Sequence, residues 1–150
     1  MVWKPHVTVA AVVYRDGKFL LVEEETEAGL AFNQPAGHLE EDEPLVDAVA
    51  REALEETAYH VRPTHLVGVY NWKHPSKEDT TYLRFAFAAE LRGYEPDRRL
   101  DDGIVGARWL TLDEIRATQE RHRSPMILQC CEDYLAGKRY PLDLLVHYDR

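Results

Sequence analysis

The chain has 150 residues, 45% of them hydrophobic and 30% charged, which suits one domain built around a single core. Its 27 acidic residues outnumber 18 basic ones, for a net charge of −9. Such a surface repels nucleic acid polymers and acidic membranes, which excludes them as general partners. A negatively charged small molecule would need a local cationic patch or a bound metal ion.

Cysteine usage and hydropathy indicate the compartment. Cys130 and Cys131 are adjacent, without a CxxC spacing or a second pair, and are predicted to be free thiols in a reducing environment. The N-terminal residues alternate between apolar and polar, unlike a signal peptide. No apolar run approaches the ~20 residues that a membrane span needs. We therefore expect a cytoplasmic protein.

The first half of the chain predicts a hairpin, a loop and a helix. Two β-branched runs flank Asp16-Gly17 in "HVTVAAVVYRDGKFLLVEE", and glycine accepts the positive φ of a tight hairpin turn. The Gly- and Pro-rich segment "EAGLAFNQPAGHLEEDEP" is predicted to be a loop with one short strand at Leu30–Phe32. Pro44 then opens a helix that runs to about Thr57, because proline suits the first helical turn.

The second half predicts strands followed by helices. "HLVGVYNWKH" and "TYLRFAFAAEL" have strand patterns, and the loop "YEPDRRLDDG" leads to "ARWL". "TLDEIRATQ" is predicted to be a helix because Thr111 and Glu114 form a capping box. "SPMILQCCEDYLAGK" predicts a last helix with Ser124 as N-cap, Pro125 as first residue and Gly137 as C-cap. Residues 1–150 are therefore predicted to form one mixed α/β domain.

The helix that ends near Thr57 concentrates negative charge. In "REALEETAY", Glu52, Glu55 and Glu56 lie at i, i+3 and i+4, away from the apolar stripe of the helix. Like charges at these spacings repel by a few tenths of a kcal/mol each, and no lysine lies four residues away to relieve them. One explanation is a solvated acidic face. The other is a site that holds a cation.

The loop before this helix favours the cation site. The segment "NQPAGHLEEDE" leads directly into the helix, where it can bring backbone carbonyl oxygens close to the carboxylates. Carboxylates and carbonyls are hard ligands suited to Mg²⁺ or Mn²⁺. Arg51 follows Glu43 by eight residues and can pair with it, which would hold the loop against the helix.

The segment "GHLEEDEPLVDAVAREALEETAY" resembles the Nudix box, the signature of a hydrolase family: Gly, five residues, Glu, seven residues, Arg-Glu, an apolar residue, any residue, Glu-Glu, any residue, Gly and an apolar residue. The residues in register are Gly37, Glu43, Arg51, Glu52, Ala53, Glu55, Glu56 and Tyr59. Ala58 departs from the family's glycine, which serves a positive-φ helix end. Since alanine there would cost about 1 kcal/mol, we expect Ala58 to adopt ordinary helical angles and alter the helix exit, with the metal site intact.

The resemblance extends beyond the box. "KPHVTVAAVV", "FNQPAGHLE", "YLRFAFAAEL", "RW" and "RSP" are similar to the NudJ-type subgroup of bacterial Nudix phosphatases, over roughly residues 4 to 142. This resemblance implies an α/β/α sandwich around a mixed β-sheet. It also implies an enzyme that uses Mg²⁺, with Mn²⁺ as an alternative, and cleaves phosphoanhydride bonds in small molecules. The protein is expected to be a monomer or a homodimer.

The substrates implied are nucleoside di- and triphosphates, or small pyrophosphates such as that of the thiamine pyrimidine precursor. The alternatives are oxidised nucleotides and ADP-ribose, since the box does not set substrate choice. A non-catalytic nucleotide-binding module is disfavoured, because such modules usually lose a box glutamate and this chain keeps all three.

The resemblance also assigns roles to the box residues. The carbonyl of Gly37 and the carboxylates of Glu52, Glu55 and Glu56 would bind the metal ion, with Arg51 and Glu43 as supports. Glu55 is the expected general base. Asp101 or Asp102, before "ARWL", is the alternative as base or extra ligand, unless the two belong to a plain polar loop.

Substrate contacts are predicted outside the box. Arg84 lies mid-strand among apolar residues, where a charge is costly unless it is paired or faces a ligand. It is therefore either a phosphate contact or an ion-paired residue. Trp72 and Lys73 offer an aromatic platform beside a charge for a flat base, although a partly buried tryptophan explains the pattern as well. Phe32 and Asn33 precede the box and would flank the substrate. The seven histidines lack zinc-site spacing.

Overall fold

The computed structural model describes residues 1–149, which form eight β-strands and three α-helices. Two short 3-10 turns follow α2 and α3, at Gln119–Arg121 and Leu142–Leu144. The elements in chain order are β1 His6–Val12, β2 Tyr14–Arg15, β3 Lys18–Thr26, β4 Gly29–Asn33, β5 Ala36–His38, α1 Leu45–Thr57, β6 Tyr59–Lys73, β7 Thr81–Tyr94, β8 Ile104–Leu110, α2 Leu112–Arg116 and α3 Met126–Leu135.

The strands form two sheets. The first is mixed, with strand order β5-β1-β7-β6, in which β1 and β7 are parallel and the other pairs antiparallel. A parallel pair needs a long crossover, which here contains α1. The second sheet is antiparallel: β3 pairs with β2 and β4 on one side and with β8 on the other.

The helices cover both faces of the sheets. Val9 and Ala11 of β1 pack in the same core cluster as Val49 of α1. Their neighbours Ala10 and Val12 lie in a second cluster with α2 and α3. Because successive strand residues point to opposite faces, this alternation separates the two cores. The α/β/α sandwich around a mixed sheet is thus confirmed. No helix within residues 1–149 has the length and hydropathy to cross a membrane.

Most predicted elements are present, with boundaries shifted by a residue or more. Asp16 and Gly17 both have positive φ, 52° and 80°, as the predicted hairpin turn requires. Pro44 is the N-cap of α1 instead of its first residue. The predicted loop contains a second strand, β5, which sequence reasoning missed.

The ends of α3 also differ by one position. The helix begins at Met126 with Pro125 as N-cap, although the Ser124 hydroxyl accepts the capping hydrogen bond from the Met126 amide at 3.1 Å. Its C-cap is Ala136, and Gly137 follows with a φ of 88°. Cys130 and Cys131 are buried on this helix as free thiols.

The expectation for Ala58 was wrong. Ala58 takes the left-handed conformation, φ 65° and ψ 8°, that the family's glycine would take. The surrounding contacts impose it: its amide donates to the Leu54 carbonyl at 3.0 Å, and its own carbonyl accepts from the Glu95 amide at 2.9 Å. With 4% of its surface exposed, Ala58 has little room to relax. The helix exit is therefore unaltered, and alanine carries the strain.

Replacing Ala58 by glycine should raise the free energy of unfolding by about 0.5–1 kcal/mol, because the left-handed conformation is strained for alanine and free of strain for glycine. Urea denaturation measures the difference. Ala136→Gly is the matched control: Ala136 is also a helix C-cap but has φ −73°, so glycine should lower stability there. Equal losses in both variants would contradict this account.

Candidate active site

Arg51 joins α1 to the loop that precedes it. Its guanidinium donates to both carboxylate oxygens of Glu43, at 2.8 and 3.1 Å, and to the carbonyl of His38 at 3.1 Å. It also donates to Glu52 at 2.8 Å and to Glu55 at 3.2 Å. Such charge-assisted, two-pronged contacts fix geometry well. The loop is thus held against the helix, as the spacing of Glu43 and Arg51 predicts.

Gly37 and Glu52 approach each other closely. A Cβ atom placed on Gly37 would lie 2.1 Å from the carboxyl carbon of Glu52 and 2.3 Å from each of its oxygens. Only a residue without a side chain leaves the Glu52 carboxylate in this position. Burial raises the pKa of Glu52 above its usual range, against the opposing effect of Arg51.

Glu56 also contacts β5. Its carboxylate accepts a hydrogen bond from the Ala36 amide at 3.0 Å. Burial raises the pKa of Glu56 to about 8, and the nearby carboxylates of Glu52 and Glu24 add to the effect. Among residues 1–149, no cationic group is among the main influences on the pKa of Glu56, so its ionised form would be stabilised by a bound cation.

Asp101 converges with Glu52 and Glu55, whereas Asp102 does not belong to this group. One carboxylate oxygen from each of Glu52, Glu55 and Asp101 lies within 4.8 Å of the others. The Asp101 amide donates to the Glu55 carbonyl at 3.1 Å, which attaches this loop to α1. The Asp102 side chain is 99% exposed and lies 3.7 Å from Arg99.

The donor set fits a hard divalent cation. Glu52, Glu55, Glu56 and Asp101 supply only oxygen ligands, which such ions prefer. One guanidinium, that of Arg51, contacts two of these carboxylates and leaves an excess of negative charge. A bound cation would offset this excess and lower the pKa of Glu56.

The buried Glu56 predicts how the stability of the metal-free protein depends on pH. The folded state holds its proton up to about pH 8, whereas the ordinary pKa is 4.5. Between these values the folded state binds more protons than the unfolded chain, so stability falls as the pH rises. Glu56→Gln cannot ionise. In EDTA its thermal midpoint should exceed that of the wild type by roughly 3 °C or more at pH 8.5 and match it near pH 5. Equal midpoints at both pH values would contradict the raised pKa.

A cavity of about 440 Å³ opens beside the carboxylates. Its acidic lining residues are Glu24, Glu40, Glu52 and Glu56. The lining also carries cationic and aromatic side chains, which come from β6, β7, the loop between them and the segment before α3. They are Trp72, His74, Lys77, Tyr82, Arg84 and Arg123. A cavity lined by both carboxylates and cationic side chains can hold a cation and a phosphate group side by side.

Arg84 lies on β7 with only 4% of its surface exposed. Its guanidinium donates to the Gln34 amide oxygen at 2.7 Å and to the Asn33 amide oxygen at 2.9 Å. Its Nε has no hydrogen-bond partner among residues 1–149. Both partners are neutral, so the positive charge remains available to an anion. A buried charge of this kind is costly unless a ligand compensates for it.

The other predicted substrate residues divide into two groups. Asn33 and Trp72 line the cavity with Arg84. Lys73 is exposed and does not line it, because it follows Trp72 on a strand and points to the opposite face. Phe32 is buried, with the Arg121 guanidinium 4.2 Å from its ring centre. Neither Lys73 nor Phe32 therefore reaches the cavity.

Several cavity residues were missed by sequence reasoning. Tyr82 lies two positions before Arg84 on β7, and its ring stacks on Trp72 at 6.0 Å. Strand alternation places Tyr82 and Arg84 on one face, so this signal was available. Arg123 is held by Glu24 of β3 at 2.9 Å. That contact joins residues 99 positions apart, and no local pattern predicts it.

A family model of the NUDIX domain matches residues 4–130. The chain belongs to the Nudix family. The phosphatase NudJ of Escherichia coli is 45% identical over 143 residues, which cover 95% of this chain and 92% of the relative. The NudJ phosphatase of Shigella flexneri matches with the same figures. This Nudix protein is accordingly a hydrolase of phosphoanhydride bonds.

Solved structures of Nudix hydrolases have the same fold as this chain. A NUDIX hydrolase from Nitrosomonas europaea superimposes with a TM-score of 0.93 at 54% identity, covering 97% of this chain and 99% of that one. An ADP-ribose pyrophosphatase from Streptococcus suis matches with a TM-score of 0.68 at 21% identity, over 91% and 96% of the two chains. The second likeness concerns the fold alone.

Proposed function

We propose that this Nudix hydrolase is a Mg²⁺-dependent phosphatase, able to use Mn²⁺, that removes phosphate from nucleoside di- and triphosphates and from small pyrophosphates such as that of the thiamine pyrimidine precursor. The observation that carries this proposal is a cavity lined both by Arg84, which has only neutral partners, and by Glu52 and Glu56 of α1. The similarity of the chain to the NudJ phosphatases supports the same function. The two unpaired cysteines suit the cytoplasmic location that we expect.

Glu52, Glu55 and Glu56, with the carbonyl oxygen of Gly37, would hold the Mg²⁺ ion, and Asp101 is positioned to add a ligand. When bound, the ion neutralises phosphate oxygens and lowers the pKa of a bound water. Because Gly37 has no side chain, the Glu52 carboxylate can lie directly against β5. Arg51 orients Glu52 and Glu55 by direct hydrogen bonds.

The remaining residues act on the substrate. Arg84 binds a phosphate oxygen with its fixed guanidinium, and Lys77 and Arg123 add positive charge to the lining of the same cavity. Trp72 and Asn33 line the route to the organic part of the substrate. Glu55 is proposed as the base that takes a proton from the attacking water. Asp101 is the second candidate, because burial raises its pKa towards the range of a general base.

Product analysis over a panel of nucleotides and small pyrophosphates tests this function. Orthophosphate released one unit at a time is the expected result. Nucleoside monophosphate with inorganic pyrophosphate would instead favour an enzyme of oxidised nucleotides. Cleavage confined to ADP-ribose would reject the phosphatase assignment. The Glu55→Gln protein, purified identically, measures background from contaminating phosphatases.

A further inference from the structure

Gln34 is a buried glutamine next to the cavity, with 1% of its surface exposed. It lies in the link between β4 and β5, and its neighbours Asn33 and Ala36 both line the cavity. Burying an amide is costly unless its donor and its acceptor both find partners. The partners of Gln34 therefore show what this side chain contributes to the site.

Two contacts fix the orientation of the Gln34 amide. Its NH₂ group donates to the Ile127 carbonyl at 2.8 Å, and its oxygen accepts from the Arg84 guanidinium at 2.7 Å. A carbonyl can only accept and a guanidinium can only donate, so the reversed amide would set like groups against each other at both ends. Gln34 thus connects Arg84 to the first turn of α3.

Arg84 is held at both terminal nitrogens of its guanidinium. Nη1 donates to the Gln34 oxygen, and Nη2 donates to the Asn33 side-chain oxygen at 2.9 Å. Two such contacts from adjacent residues fix both the position and the rotation of a planar group. Because both amides are neutral, they orient the guanidinium without offsetting its charge. A carboxylate in place of Gln34 would orient Arg84 as well, but it would also neutralise it.

The same segment also positions the carboxylates of α1. The Ala36 amide donates to the Glu56 carboxylate at 3.0 Å. Gly37 follows, and its missing side chain leaves room for the Glu52 carboxylate. Residues 33–37 therefore contact the guanidinium at one end and the carboxylates at the other. Their backbone sets the spacing between the group that would bind phosphate and the groups that would bind the cation.

We propose that Gln34 is a positioning residue of this hydrolase, which holds the Arg84 guanidinium in place for a substrate phosphate and leaves its charge free for that phosphate. Gln34 does not itself line the cavity, so it acts on the substrate through Arg84. The inference rests on the proposed function, because it takes Arg84 as a phosphate contact. It sets two requirements at position 34: a hydrogen-bond acceptor, and no negative charge.

Two substitutions test the two requirements separately. Gln34→Met removes the acceptor and keeps the size of the side chain, whereas Gln34→Glu keeps an acceptor and adds a negative charge. Each should raise KM for a nucleoside triphosphate roughly 10-fold, the effect of one hydrogen bond to a charged group, and change kcat less than about 3-fold. A urea titration identifies the conditions in which each variant is folded. Unchanged KM in both folded variants would overturn the proposal.

The same substitutions in the Arg84→Met protein show whether Gln34 acts through the guanidinium. Neither should raise KM further there, because the group that they act through is gone. An equal rise of KM in both backgrounds would overturn the proposal and make Gln34 a structural residue. Thr64→Val is the matched control. Thr64 also donates to β7, to the Ala88 carbonyl at 3.2 Å, so its loss should leave KM unchanged.

Failure of the proposed function gives a different result. If Arg84→Met alone leaves KM unchanged, the phosphate contact itself fails and the role of Gln34 fails with it. A raised KM in Arg84→Met beside normal KM in the Gln34 variants overturns the inference alone. If no nucleotide is hydrolysed, calorimetric binding of methylenediphosphonate, a pyrophosphate analogue, in the presence of Mg²⁺ decides. Weaker binding by Gln34→Glu than by the wild type supports the positioning role, and equal affinities overturn it.

Discussion

Glutamine in place of Glu55 or of Glu56 should lower kcat/KM for metal-dependent phosphate release about 1,000-fold, or roughly 4 kcal/mol in the transition state. Glutamine keeps the size of the side chain but removes its negative charge. Glu55 converges with Glu52 and Asp101, and Glu56 lines the cavity together with Glu52. Phosphate release at saturating Mg²⁺ measures the loss.

The fold should survive both substitutions. Glu56→Gln removes a buried carboxyl with a raised pKa, so the variant is expected to be more stable at alkaline pH and yet inactive. Glu41→Gln, an exposed residue in the preceding loop, is the matched control and should retain full activity. Full activity in both Glu55→Gln and Glu56→Gln would refute the assignment of the metal site.

Arg84→Met should lower kcat/KM about 100-fold, because it removes a buried guanidinium that lines the same cavity as Glu52 and Glu56. Hydrogen bonds to charged groups contribute about 1.5–3 kcal/mol, and the loss should appear mainly as a raised KM if Arg84 binds ground-state phosphate. Stability should change by less than about 2 kcal/mol. The lost amide contacts are offset by relief from an uncompensated buried charge.

The combination of kinetics and stability separates a phosphate contact from a structural residue. Arg92 lies on the same strand and pairs with Glu90 at 3.1 Å. Arg92→Met is therefore the matched control and should leave kcat/KM unchanged. If Arg84→Met instead unfolded the protein and the folded fraction kept a normal KM, Arg84 would be structural. A urea titration beside the steady-state assay gives both quantities.

The part of the site that depends on local spacing was predictable from the sequence. Glutamates at i, i+3 and i+4 on one helix must lie close together, and an arginine eight residues after Glu43 can reach back to it. The structure contains both arrangements, with Arg51 contacting Glu43 and Glu55. The sandwich of helices around a mixed sheet was likewise predictable, because the box resembles that of a family with this fold.

The cationic and aromatic lining of the cavity was not predictable in the same way. It is set by the register of β6 on β7, which includes three irregularities, and by the contact of Arg123 with Glu24. The sequence shows that a lysine follows Trp72, but not which way its side chain points. Lys73 was therefore predicted to contact the substrate, whereas Lys77 is the lysine that lines the cavity. Ala58 could not be predicted either. The conformational preference of alanine disfavours the left-handed region, but hydrogen bonds to neighbouring elements hold Ala58 there.

The most direct test of the account is metal addition to protein dialysed against EDTA. Orthophosphate release from a nucleoside triphosphate should be at background without metal, appear on addition of Mg²⁺ or Mn²⁺, and stay at background in the Glu56→Gln protein under the same conditions. Hydrolysis that proceeds at the same rate without any divalent ion, or that Glu56→Gln retains in full, would contradict the central claim that these carboxylates hold the catalytic cation.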